Sequence, residues 1–300
     1  MFPHCFVDKT EPQMHYLHIL LTLFALHLPQ MAKALLTPSP MAYSDCYVVD
    51  SLPAINDYSN LHVVLLGDSE TAIGGDQCDQ PLGWNKWFAE ALQPASCRSY
   101  ARSGATWTNT IRTKLNREGN IGILGDDNVI YNQVERLKAA VKAGEQVTPD
   151  LIIIAAGTND AWFQKRRPGV FDKSAAQAFR IQDKFITDRK VNTITSLTES
   201  IRYNCELLIQ AFPDAQIILL TPMQAAAVPT TEILRVADTI AECAKWLSVG
   251  LVRMDGGSSL YRPREKVKNK FTYDGTHTNE AGARRNGRYV ARQVAAMLYF

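Results

Sequence analysis

The residues best equipped for chemistry stand at four distant places: Gly67-Asp68-Ser69, Arg102-Ser103-Gly104-Ala105-Thr106, Gly157-Thr158-Asn159-Asp160 and Asp274-Gly275-Thr276-His277. A serine hydroxyl becomes a nucleophile at neutral pH when an imidazole takes its proton, and the imidazole needs an acceptor to hold its tautomer. Of the six histidines only His62 and His277 lie beyond residue 34. His62 falls just inside a predicted strand, poorly placed to reach the strand's end. His277 is therefore the candidate base, Asp274 its acceptor and Ser69 the nucleophile. The Ser69 backbone amide, the two side-chain N–H groups of Asn159 and the unencumbered amide of Gly104 are candidate donors to an oxyanion. Each block is weak alone: the first reads equally as a turn with a helix cap, the third as an Asx turn, and Gly104 as a turn glycine.

The elements that must position these blocks are legible as well. Apolar, β-branched runs at Leu61–Leu66, Leu151–Ala156, Gln216–Thr221 and Gly250–Met254, with a weaker one at Ser96–Ala101, lack polar alternation. Such strands are buried on both faces of a parallel sheet. Between them, Gly83–Leu92, Asn128–Lys142, Ser196–Phe212 and Thr230–Leu247 carry apolar residues at helical spacing, and Asn279–Leu298 closes the chain. Alternation of this kind predicts a three-layer α/β/α sandwich with right-handed crossovers. Ser69 and Asn159 each follow a buried strand and should emerge at its carboxyl edge, where open α/β sheets bind ligands.

Four such blocks in this order resemble the SGNH or GDSL-type hydrolases, a family named for Ser, Gly, Asn and His, which here stand as Ser69, Gly104, Asn159 and His277 from about Leu61 to the carboxyl end. The resemblance implies a flavodoxin-like sheet, a Ser69–His277–Asp274 triad, and an oxyanion hole built from the amides of Ser69 and Gly104 and the Asn159 side chain. The chain departs from the family pattern at Glu70, where Leu is expected, and in Ala101-Arg102-Ser103-Gly104, which lacks a common Asn. No Gly-x-Ser-x-Gly elbow is present, which argues against the other large serine-esterase fold.

With 300 residues, 46% apolar and a formal charge of +2, the chain has the makings of an ordinary globular core. The basic runs Lys165-Arg166-Arg167 and Arg262 to Lys270 read as solvated loops, giving no case for nucleic acid. Residues 1–34 read as a secretion signal, with a short apolar core, Ile19–Leu28, before Ala32-Lys33-Ala34, too short for a stable membrane span. Residues 35–60 read as an extension, 61–300 as the catalytic domain, and about 161–193 as an insertion in which Ser174–Ile186 could be helical. Export to a secreted or periplasmic location would permit disulfides; Cys78 and Cys97 are the first candidates for a bridge, and five cysteines in the mature part leave at least one unpaired. No Cys-x-x-Cys or His-x-x-x-His motif occurs, so there is no case for zinc, and the expected chemistry calls for no cofactor.

The expected reaction is hydrolysis of short acyl esters, O-acetyl groups on carbohydrate above all. Trp107 and Trp162, one after the glycine block and one after the asparagine block, are candidate sugar-stacking residues, and equally candidate packing residues. A lipid-directed esterase or thioesterase is the rival within enzymes, and a non-catalytic glycan-binding protein the rival outside them.

Overall fold

A computed structural model describes residues 57–181 and 183–298. The expected leader and most of the expected extension lie outside the described residues. Five strands, β1 (His62–Gly67), β2 (Ser96–Ser99), β3 (Leu151–Ala155), β4 (Gln216–Leu220) and β5 (Gly250–Val252), pair in parallel in the order β2-β1-β3-β4-β5. This is the flavodoxin-like order, with its switch point between β1 and β3. Their registers place Gly67 opposite Ala155. The turns after both strands therefore leave the sheet level with each other, at one edge.

Side chains alternate between two cores. Val64, Leu66, Ile152, Ile154, Ile217 and Leu219 pack under helices α3 (Ile130–Lys142), α6 (Leu197–Ala211) and α7 (Thr230–Leu247). Val63, Leu65, Leu151, Ile153, Ile218 and Leu220 face α2 (Trp84–Leu92) and α10 (Glu280–Ala295). The strand period of two explains why neither face needs polar residues: both are covered. Short helices α1 (Ser69–Ala72), α4 (Thr158–Trp162), α5 (Ala175–Ala178), α8 (Met254–Gly257) and α9 (Arg262–Val267), with 3-10 turns at Gln164–Arg166 and Val191–Thr193, complete the regular structure among the described residues. Among the described residues no helix is long and apolar enough to cross a membrane.

Several boundaries differ from the sequence reading for identifiable reasons. The strand expected over Gly250–Met254 stops at Val252, because Met254 opens α8 and its amide donates to Thr221 Oγ1 at 2.8 Å. The helix expected over Ser174–Ile186 shrinks to α5; Arg202 Nη1 donates to the Ala178 carbonyl, which no longer carries a helical ladder forward. Arg202 also donates to Lys184 O and Glu206 Oε1, and Glu206 accepts from the Ile186 amide. Residues 173–181 and 183–194 are thereby strapped along α6, which is buried continuously from Leu197 to Leu208. Arg167, expected in a solvated run, is 2% exposed, with Nε donating to Thr106 Oγ1 and Nη2 to Gly125 O. Its fork ties the long irregular segment after β2 to the segment after α4.

Candidate active site

Hydrogen bonds join all four blocks. The Asp68 amide donates to Ala155 O, tying the turn after β1 to the end of β3. Arg102 N donates to Gly67 O, and the Gln133 side chain grips the same residue twice, donating to Gly67 O and accepting from Gly67 N at 2.8 Å each. Asn159 Nδ2 donates to Ala105 O at 2.9 Å, tying the third block to the second. Gln133 escaped sequence reading because a glutamine inside an amphipathic helix carries no motif.

Ser69 is the first residue of α1, whose N-cap, Asp68, accepts from the Glu70 amide. His277 lies 208 residues further on, in the loop between α9 and α10. Its Nε2 stands 2.9 Å from Ser69 Oγ, and its Nδ1 stands 2.7 Å from Asp274 Oδ2. Asp274 Oδ1 accepts from the amides of Thr276 and His277, which folds the acid and the imidazole into one tight loop. Gly275 turns that loop at φ +86°, where an added Cβ would lie 2.8 Å from Ala226 Cβ. The Tyr273 ring stacks on the imidazole with centroids 5.8 Å apart. His62, by contrast, sits at the opposite end of β1, its Nδ1 2.8 Å from Ser96 Oγ.

The acids around Ser69 titrate in opposite directions. Partial burial pushes Asp274 up, but the His277 ring and the amides of His277 and Thr276 outweigh it, and its carboxyl rests below the usual range. An ionised acceptor requires the proton on Nδ1 and leaves the Nε2 lone pair for the serine hydroxyl. Asp68 and Glu70, 1% and 7% exposed, line a narrow cleft with Trp84, Thr158 and Met223. Asp68 Oδ2 and both Glu70 carboxyl oxygens make no close hydrogen bond among the described residues, the amides of Thr158 and Thr278 lending only weak support to their ionised forms. Burial pushes Asp68 up to about 6, and burial with the Asp68 charge holds Glu70 well above the usual range.

Gly104 has φ +80°, and a Cβ there would meet Ile123 Cγ2 at 2.6 Å and Leu124 N at 2.9 Å. Only glycine fits this turn. No protein acceptor takes the amide hydrogen of Ser69 or Gly104 among the described residues. One Asn159 Nδ2 hydrogen remains after its bond to Ala105 O.

The two tryptophans part company. Trp107 is fully buried, its amide donating to Asp160 Oδ2 and its indole Nε1 to Ala156 O, so it is a packing residue and no wall of the site. Trp162 is 40% exposed and stacks on Phe163 with centroids 5.0 Å apart. Asp160, which sequence reading passed over, holds the amides of Trp107 and Thr108 and so fixes the path of the chain just beyond Gly104. Cys78 and Cys97 are free thiols with sulfurs 3.2 Å apart, and Cys205 and Cys243 are buried free thiols.

The model of the GDSL-like Lipase/Acylhydrolase family matches residues 65–285, a span that takes in all four blocks, and the chain belongs to that family of ester hydrolases. Solved structures with the same fold include a candidate GDSL-like lipase from Bacteroides ovatus, at 14% identity and TM-score 0.51 over 79% of this chain and 100% of that one. Another is a candidate GDSL-like lipase from Parabacteroides merdae, at 16% identity and TM-score 0.50 over 80% of this chain and 99% of that one. A candidate lipase from Chitinophaga pinensis aligns at 15% identity and TM-score 0.50 over 79% and 99%. No curated protein matches the chain.

Proposed function

We propose that the protein is a serine esterase that hydrolyses short acyl esters, chiefly O-acetyl groups on carbohydrate, through an acyl-enzyme on Ser69. The observation that carries this reading is the unbroken row from Ser69 Oγ through the His277 ring to Asp274, with bonds of 2.9 and 2.7 Å. Ser69 Oγ attacks the ester carbonyl carbon as Nε2 takes its proton. The carbonyl oxygen becomes an anion facing the amides of Ser69 and Gly104 and the remaining Asn159 hydrogen. Collapse expels the alcohol, which leaves with the proton from Nε2. Water then repeats the attack on the acyl carbon and frees Ser69.

The support for a sugar alcohol is the ground around the site. The Leu124–Gly125 turn that packs on Gly104 borders a groove of about 730 Å³ edged by Arg112, Asp126, Lys165, Arg166 and Asp172. Ile111, Leu124 and Pro168 also line this groove, so it offers apolar ground for a sugar face beside charged groups that can hydrogen-bond its hydroxyls. A series of 4-nitrophenyl esters tests this: kcat/KM should fall from acetyl to octanoyl, and a rise along the series would assign the protein to lipid esters. Ser69→Ala should abolish hydrolysis throughout the series; undiminished hydrolysis would leave the glycan-binding reading standing.

Export is part of the same proposal. Thiols 3.2 Å apart are poised to exchange with an oxidised dithiol carrier, releasing its reduced form and leaving a Cys78–Cys97 disulfide. Protein recovered from an oxidising compartment should resist thiol alkylation at both positions until reduced. Full alkylation without reduction would count against export.

A further inference from the structure

The positive charge of this protein is concentrated on one strip. Between Arg262 and Arg292 there are nine Lys and Arg against three Asp and Glu, a formal +6 in a chain whose total is +2. Within that stretch the exposed side of α10 carries Arg284, Arg285, Arg288 and Arg292, and all four line one open groove of about 720 Å³ with Tyr289 at its side. The groove's one carboxylate, Glu280, is taken by Arg284 at 2.9 Å. Arg285 donates to Ser259 Oγ, a neutral partner. Arg288 and Arg292 have no carboxylate partner among the described residues.

The crowding continues above the groove. Arg264, Lys270 and Arg285 all lie within 6 Å of the Phe271 ring, at 5.2, 5.2 and 5.7 Å. Glu265, 3.8 Å from Arg264, offsets one of these charges, and the ring's quadrupole offsets part of the remaining repulsion. An external polyanion relieves it. Arg284, Arg288 and Arg292 recur every four residues, so they share one face of the helix at intervals of ~6 Å along its axis, Arg284 resting on Glu280 and the Trp87 ring. That interval is comparable with one residue of an extended sugar chain. Guanidinium forks match planar carboxylates and sulfates in pairs of hydrogen bonds. The helix begins three residues after His277, and Asn279 caps it, so Glu280, at one end of the groove, directly follows the loop that carries the base.

We infer that the arginine groove of α10 is a docking site for an acidic polysaccharide, the carboxylate or sulfate polymer whose ester groups Ser69 removes. This rests on the carbohydrate-ester reading and narrows its substrate class. A concave groove floored by arginine suits a single polymer chain, whereas a bilayer needs a broad face with apolar side chains to insert. Val267, 89% exposed between Lys266 and Lys268, is the reason vesicles belong among the controls.

The test pairs wild type with an Arg288→Glu/Arg292→Glu variant, both positions being exposed and outside the catalytic row. Binding of de-esterified polygalacturonate is measured by calorimetry, and acetate release is followed on acetylated polygalacturonate, acetylated xylan and 4-nitrophenyl acetate. Wild type should bind polygalacturonate, and the variant should raise KM on the acidic polymer about tenfold or more, as should 0.5 M NaCl on the wild type, through loss or screening of the attraction. Rates on xylan and 4-nitrophenyl acetate should be unchanged. Absence of binding to polygalacturonate, or equal KM and equal salt response on the two polymers, overturns the inference. So does binding to phosphatidylglycerol vesicles that is lost in the variant while polygalacturonate binding is not. Failure of wild type to hydrolyse 4-nitrophenyl acetate would overturn the esterase reading instead and leave the binding result to be judged alone.

Discussion

Ser69 sits between two sets of acids that the protein treats in opposite ways. On one side, Asp274 is partly exposed and receives three N–H donors, from the His277 ring and from the amides of Thr276 and His277. On the other, Asp68 and Glu70 are buried, and three of their four carboxyl oxygens make no close hydrogen bond among the described residues. Burial opposes charge on both sides: around Asp274 the donors outweigh it and the carboxyl falls below its usual range, whereas at Asp68 and Glu70 burial outweighs the donors and the carboxyl rises. Asp160, fully buried, accepts from the amides of Trp107 and Thr108 and is still pushed up, so the balance of burial against donors, more than proximity to the serine or donor number alone, fixes which acid stays ionised beside an imidazolium.

The sharpest way to break this contrast is Asp274→Asn, which keeps the shape and removes the charge. It frees the imidazole to take the wrong tautomer, and kcat should fall by about 10⁴-fold with little change in KM. A loss below tenfold would mean that another acid supports the ring. Asn159→Ala acts on the oxyanion and on neither acid, so kcat should drop by about 10²- to 10³-fold with the shape of the pH-rate profile retained; an altered profile would point to a role in proton transfer.

The buried side is tested through stability. Because folding raises Asp68 from its ordinary value to about 6, the native state holds that proton more tightly than the unfolded chain. The ionised group therefore costs stability, fully above pH 6 and progressively less as pH falls toward 4. Asp68→Asn, which can still cap α1, should gain up to about 3 kcal/mol at pH 8 and markedly less at pH 5. Urea melts at both pH values measure this, and an equal gain at both would show that Asp68 is not perturbed in the native state. The smallest effect belongs to Glu70→Gln. Burial holds the Glu70 carboxyl well above its usual range, toward the neutral form that Gln mimics, so activity at neutrality should stay within about twofold and the acid limb of the pH-rate profile should stay in place. A displaced acid limb would reveal an ionised Glu70.

Sequence made the sheet readable because its strands are uninterrupted apolar runs, and it made Ser69 and Asn159 readable because each follows such a run within a few residues. His277 emerged by elimination. What stayed hidden depends on the direction of side chains and on contacts between distant segments. Trp107 follows the glycine block, yet Asp160 and Ala156 draw its amide and indole inward. Arg167 looked solvated beside Lys165 and Arg166, yet it is spent on Thr106 and Gly125. The arginines of α10 do not form a run because they are spread over helical turns, so their joint charge becomes visible only on the folded helix. Gln133, with its two bonds to Gly67, had no signal at all.

The central claim is covalent attachment to Ser69, and rapid quenching during turnover of 4-nitrophenyl acetate, followed by peptide mass analysis, addresses it most directly. A single acetyl group on the peptide containing Ser69, absent from the Ser69→Ala protein, is the expected result. Steady hydrolysis by Ser69→Ala, or an acetyl group carried on another residue of the wild type, would contradict it.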